Sequence, residues 1–181
     1  MSKAVVLLAD GFEEVEAITQ IDFLRRAGIE TIVCGVTGRD IVGGHDVRIN
    51  TDVTLDEFMD EVDAVVLPGG AAGAQSISDS EAAVRLVRAA LTEGRLVAAI
   101  CAAPGLVLGK HDMLGDRRFT CYPGFEQHAR SGSFCEERVV RDGNLITSRG
   151  PGTAAEFAIA IVEYLVDQPA ARELHQKTLQ K

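Results

Sequence analysis

Leu96-Val97-Ala98-Ala99-Ile100-Cys101-Ala102-Ala103-Pro104-Gly105 is the stretch whose reading decides the fold. Its first five residues are short, apolar and unbroken, the pattern of a strand buried on both faces of a parallel sheet. The strand runs directly into small residues and then a helix, with a thiol at the junction. That is the logic of a nucleophile elbow, in which a sharp turn projects one side chain and points the next helix's N-terminus at it. The helix dipole and unpaired N–H groups favour thiolate over thiol, so a lowered pKa is expected for Cys101. A lone cysteine after an apolar strand is more often inert core. The Ala-Ala-Pro-Gly context reverses that reading.

Three further runs carry the same strand signature: Ala4 to Leu8, Thr31 to Val36 and Ala64 to Leu67. Helical spacing lies between them. Val15, Ile18, Ile21 and Leu24 recur every third residue, with Gly28 where a C-cap is expected. Ala82 to Leu91 forms a second helix closed by Gly94, and a last long helix runs from about Thr153 to Val166 with Phe157, Ile161 and Leu165 on one face. The segments from Val42 to Val53 and from Phe119 to Ile146 read as shorter strands and hairpins, with a turn at Asp142-Gly143. Strands alternating with helices imply an α/β fold: a doubly wound, mostly parallel, flavodoxin-like sheet sandwiched by helices. With no linker, low-complexity tract or repeat, residues 1–181 read as a single domain.

Composition excludes several classes. The 46% hydrophobic and 25% charged content is that of a soluble globular chain. A formal net charge of −9 argues against nucleic-acid binding, which needs clustered Lys and Arg. The apolar run from Ala4 to Ala9 is too short for a secretory signal, and no stretch approaches the roughly 20 apolar residues a membrane helix needs. A cytoplasmic location is therefore expected. Cys34, Cys101, Cys121 and Cys135 include no CxxC pair, and His45, His111, His128 and His175 form no ligand cluster with them, so neither zinc nor a disulfide framework is expected.

In doubly wound sheets ligands bind at the carboxyl ends of the strands. Two motifs besides the elbow fall there. In Leu67-Pro68-Gly69-Gly70-Ala71, paired glycines let backbone N–H groups approach a ligand and supply an oxyanion hole, or simply make a tight turn. In Asp10-Gly11-Phe12-Glu13-Glu14-Val15-Glu16, the first two glutamates complement the helix dipole. Glu16 lies deeper, beside the apolar stripe, where burial would raise its pKa and let it share a proton with a thiolate.

Together Gly11-Phe12-Glu13-Glu14-Val15-Glu16, Leu67-Pro68-Gly69-Gly70, Ala98-Ala99-Ile100-Cys101-Ala102-Ala103-Pro104 and Thr147-Ser148-Arg149-Gly150-Pro151-Gly152-Thr153 resemble the DJ-one branch of the ThiJ/PfpI superfamily, whose domain is of class I glutamine amidotransferase-like type. Order and spacing hold across nearly the whole chain. The resemblance implies a flavodoxin-like homodimer in which Cys101 is the reactive, easily oxidised thiol and Glu16 the carboxyl that hydrogen-bonds it. It places the amides of Gly70 and Ala102 at the oxyanion and Ser148 and Arg149 at the pocket entrance. On their own residues, Ser148 to Thr153 could equally be no more than a helix start.

Two departures bear on activity. Thr120-Cys121-Tyr122-Pro123 puts Tyr122 where many members have a His, and Ala102 stands where a PfpI-type protease has one directly after the nucleophile. Without either His, a Cys-His-acid peptidase is not expected. His128 reads as a surface residue, and Cys121 as core rather than a second pocket thiol. The expected substrate is a small carbonyl compound, a reactive α-oxoaldehyde handled as by a glutathione-independent glyoxalase or deglycase. Tyr122 would supply a hydrogen bond but is a poor base at neutral pH. The alternatives are a non-enzymatic redox sensor or chaperone controlled by Cys101 oxidation, and a hydrolase or hydratase of small amides or isonitriles. No cofactor is expected: the loop after the first strand carries carboxylates where a flavin phosphate would need amides and hydroxyls.

Overall fold

The computed structural model describes residues 1–180. In chain order its elements are β1 (Lys3–Leu8), α1 (Glu14–Arg26), β2 (Glu30–Gly35), β3 (Asp40–Val42), β4 (Arg48–Asn50), β5 (Val53–Thr54), β6 (Ala64–Leu67), α2 (Ala71–Asp79) and α3 (Glu81–Thr92). Then come β7 (Leu96–Ile100), β8 (Arg118–Phe119), β9 (Ser133–Phe134), β10 (Val139–Asp142), β11 (Leu145–Ser148), α4 (Ala154–Leu165) and α5 (Gln168–Lys177). The main sheet has the order β10-β11-β7-β6-β1-β2-β5. Every pair in it is parallel except β10 with β11, an antiparallel hairpin turned at Asp142-Gly143, where Gly143 takes φ 60°. β3 and β4 form a separate hairpin, and β8 and β9 a short parallel pair.

The unbroken apolar runs are explained by burial on both faces. Because side chains alternate along a strand, Val5, Leu7, Val65, Leu67 and Val97 meet Ala74, Ile77, Val87 and Ala90 of α2 and α3 in one layer. Val6, Leu8, Val66, Ala98 and Ile100 meet Leu24, Phe157 and Ile161 of α1 and α4 in the other. Burying each larger aliphatic side chain contributes about 1.5–3 kcal/mol, so this central band fixes the strand order that builds the site.

The structure corrects the face of α1. Val15 and Ile18 are 52% and 45% exposed, whereas Glu16, Ala17, Gln20 and Leu24 are fully buried. A three-residue step falls about 60° short of a helical turn, so a strict period of three walks off the buried face. Two polar residues take the places that hydrophobicity alone would deny them. The helix ends as expected, with Gly28 at φ 76°. The last expected helix is present as α4, which stops at Leu165, and a further helix, α5, begins after Asp167, whose carboxylate accepts from the Ala170 amide at 2.8 Å. α2 and α5 were not legible from periodicity. Among the described residues no helix is long and apolar enough to cross a membrane.

Candidate active site

β11, β7, β6 and β1 are successive parallel neighbours, so their carboxyl ends deliver Ser148, Cys101, Pro68 to Gly70 and the loop into α1 to one edge. Cys101 is the residue after β7 and takes φ 63°, a left-handed conformation rare for a residue with a side chain. Strain of this kind costs about 1–3 kcal/mol and persists only where neighbours enforce it. The Cys101 amide donates to Ser148 O at 3.0 Å, and its carbonyl accepts from the Tyr122 amide at 2.9 Å. The elbow read from sequence is present. It leads not into a regular α-helix but into a buried π-helical run, Pro104–Gly109. There a Cβ at Gly109 would come within 2.7 Å of the Ala129 backbone, so the glycine permits close packing against the segment that carries Tyr122.

Gly69 and Gly70 shape the site from the neighbouring strand. Gly70 takes φ 84°, and a side chain there would collide with the backbone of Gly11 and Glu13. Its N–H and that of Ala102 lie toward the Cys101 thiol and favour its anion. At Gly69 any side chain would overlap Glu16 Oε2 and lie 3.1 Å from Cys101 Sγ. Gly69 is thus the point where carboxyl and thiol converge, and its own N–H donates to Glu16 Oε2 at 2.8 Å. The sequence reading assigned Gly70 a role but gave Gly69 none; the doubled glycine was its only signal.

Glu16 is fully buried, and its Oε1 has no hydrogen-bond partner among the described residues. Burial pushes its carboxyl up to about 7, against the Gly69 amide and the Cys101 contact, which favour the anion. The thiol of Cys101 is pushed up to about 12, first by burial and then by the charge and hydrogen bond of Glu16, while the amides of Gly70 and Ala102 pull it down. This overturns the expectation of a lowered pKa. The helix-end donors are present, but burial and an ionised carboxylate beside the sulfur outweigh them. Near neutral pH the thiol therefore keeps its proton, and the Glu16 carboxyl beside it is the group placed to take that proton during reaction.

The remaining residues nominated from the sequence are placed unevenly. Tyr122 sits beside Cys101 and is 47% exposed. Ser148 is fully buried, but its hydroxyl donates to Arg138 O and meets Thr153 Oγ1 at 2.6 Å. It braces the loop rather than lining an entrance, because its carbonyl is the group that meets Cys101. Arg149 donates to Glu136 O at 3.1 Å and lies near the Cys121 thiol. Cys121 and Cys34 are buried, each pushed up to about 12 chiefly by burial. Glu14 does more than complement a dipole: it accepts from the His45 amide and faces His45 Nδ1 at 2.8 Å, tying the β3–β4 hairpin to α1. Glu13, Glu14 and His45 bring three donor atoms within 4.8 Å, but both Glu14 oxygens are engaged by His45.

A model of the DJ-1/PfpI family matches residues 2–164. Protein dj-1beta of Drosophila melanogaster is 45% identical over 179 residues, covering 96% of this chain and 95% of its own length. A protein from Pyrococcus abyssi named a deglycase is 35% identical over 153 residues, covering 83% and 91%. The crystal structure of a DJ-1 superfamily protein from Salmonella typhimurium superposes with a TM-score of 0.96 at 35% identity, covering both chains fully.

Proposed function

The chain belongs to the DJ-1/PfpI family, and from that premise we propose that it is a cysteine-dependent enzyme acting on small α-oxoaldehydes without glutathione, as a glyoxalase or deglycase does. The observation that carries this reading is the Glu16 carboxyl, buried, poised at about 7 and converging with Cys101 at Gly69. A general base works best with a pKa near the operating pH. The relative named a deglycase supports the same chemistry.

Ionised Glu16 takes the thiol proton as Sγ bonds to the aldehyde carbon, and the carbonyl π pair moves to oxygen. The amides of Gly70 and Ala102 hold that oxyanion, which takes a proton to complete the hemithioacetal. Glu16, again ionised, removes the hydrogen on the former aldehyde carbon, and the electron pair forms an enediol with the adjacent ketone. Reprotonation at the second carbon gives a thioester, which water cleaves to a 2-hydroxy acid and free thiol. No net oxidation occurs. The four His side chains are placed elsewhere: His45 contacts Glu14, His111 contacts Ser78, His128 packs on Phe125, and His175 lies in α5. A peptidase is therefore not proposed.

We further assign the chain to the cytoplasm and to a homodimer. Val15, Ile18 and Val47, about half exposed, supply apolar surface on α1 and beside β4 for a second copy. The test of the activity is methylglyoxal consumption in glutathione-free buffer, with lactate measured as product. Because Glu16 must be ionised, the rate is expected to fall as pH drops through about 7. A rate independent of pH between about 6 and 8, or no lactate, would count against the mechanism.

A second reading has its own support. Cys101 is partly exposed, and the Gly70 and Ala102 amides that favour its thiolate would equally hold an oxidised sulfinate.

A further inference from the structure

We propose that His45 is a positioning residue for the reaction, which holds the start of α1 in place and compensates the charges beside the Glu16 carboxyl. This rests on the reading of Glu16 as the general base and names a control on that same site. His45 stands in the turn between β3 and β4. Its amide donates to Glu14 Oε1, and its Nδ1 lies 2.8 Å from Glu14 Oε2. Glu14 is only 8% exposed, so a carboxylate left unpaired there would be costly. Further bonds seat the turn: the Gly11 amide donates to Val42 O at 2.7 Å, and the Gly44 amide to Phe12 O at 2.8 Å. A Cβ at Gly43 would overlap the Glu14 carboxyl, so the hairpin lies directly on that group.

A histidine on a hairpin turn often does no more than pin the turn to its neighbour. Two observations carry this one to the site. The Glu13 amide donates to Gly69 O at 3.0 Å, and the Gly69 amide donates to Glu16 Oε2 at 2.8 Å. The segment that His45 anchors therefore also holds the residue that fixes the catalytic carboxyl. Glu13 supplies the second link. Its carboxylate, that of Glu14 and the His45 imidazole bring their donor atoms within 4.8 Å of one another, and the charge of Glu13 opposes an anion at Glu16. Glu14 and Glu13 at the head of α1, with Asp46 in the turn, are the charged groups facing His45. They keep it protonated above the ordinary imidazole range, the Glu14 hydrogen bond foremost. The resulting cation offsets carboxylates that would otherwise disfavour a further negative charge on Glu16.

The test is the pH dependence of kcat/KM for methylglyoxal in wild type, His45→Gln and His45→Arg. Gln keeps a donor without charge, whereas Arg keeps the charge at every working pH. His45→Gln is expected to move the acid limb up by about half a pH unit, a loss of about threefold at pH 6.5, and His45→Arg to leave the limb where it is. A limb that stays or moves down in His45→Gln, or moves up equally in His45→Arg, overturns the inference; a merely structural loss lowers the rate without moving the limb. Glu13→Gln, which leaves the His45–Glu14 contact in place, is expected to move the limb down. No downward movement means that charge in this cluster does not reach Glu16, and overturns the inference even if His45→Gln fails to fold. Should the wild type not turn over methylglyoxal, the enzyme reading fails, and the Glu16 carboxyl is titrated directly by 13C NMR of glutamate-labelled protein. A midpoint about half a unit higher in His45→Gln than in wild type and His45→Arg supports the inference; equal midpoints in all three overturn it.

Discussion

Replacing Cys101 by Ser lowers kcat/KM for methylglyoxal by at least about 1,000-fold, because a hydroxyl is a far weaker acid and a poorer nucleophile than a thiol beside the same carboxylate. The backbone should be undisturbed, since the amide bonds to Ser148 and Tyr122 do not involve the side chain. Unaltered thermal unfolding alongside lost turnover is the expected pair of results. Retention of more than a tenth of the activity would remove Cys101 from the mechanism. The same residue separates the enzymatic and redox readings. Under mild peroxide, mass spectrometry is expected to find Cys101 oxidised well before Cys34 or Cys121, whose thiols are buried. Equal oxidation of all three would sink the sensor.

Replacing Glu16 by Gln is expected to lower turnover by about 100- to 10,000-fold through loss of the general base, and at the same time to stabilise the protein in alkali. The folded-state pKa of Glu16, about 7, lies above its ordinary value of 4.5. The folded protein thus holds a proton that the unfolded chain releases. The resulting stability is fully present below about pH 4.5 and lost as pH rises through about 7, a loss of about 3 kcal/mol. Gln carries no such charge and keeps an oxygen to accept from Gly69. Urea unfolding of both proteins at pH 5 and pH 8 should show the advantage of Glu16→Gln growing by about 2–3 kcal/mol at the higher pH. A constant difference between the two pH values would mean that Glu16 is not a buried, raised carboxyl. Glu16 would then not be a base tuned to neutral pH, and the expected fall in rate through about pH 7 would go with it.

Much of the fold was legible in the chain itself. Runs such as Ala64 to Leu67 and Leu96 to Ile100 are apolar on both faces, and only strands covered from both sides tolerate that. Alternation with helices then fixes the sheet type, and the type places strand ends, glycines and Cys101 on one edge. Local steric rules were equally readable at the Asp142-Gly143 turn and at Gly28, where the chain needs a left-handed residue. α2 escaped because its small, polar residues carry little periodic signal, and Val15 and Ile18 misled because exposed apolar residues fit a period as well as buried ones do.

The strand that runs into Cys101 and the sheet type were legible in the sequence, because apolar runs and small turn residues are local signals. The charge state of the thiol was not. Glu16 and Gly69 stand 53 residues apart and meet Cys101 only across three neighbouring strands. Burial and the approach of one carboxylate, both non-local, outweigh the local helix-end donors and reverse the expected direction of the pKa. Tertiary structure also decided that Ser148 spends its hydroxyl on the Arg138 carbonyl. Electrostatics and free space at a site are sums over neighbours that only the folded chain brings together.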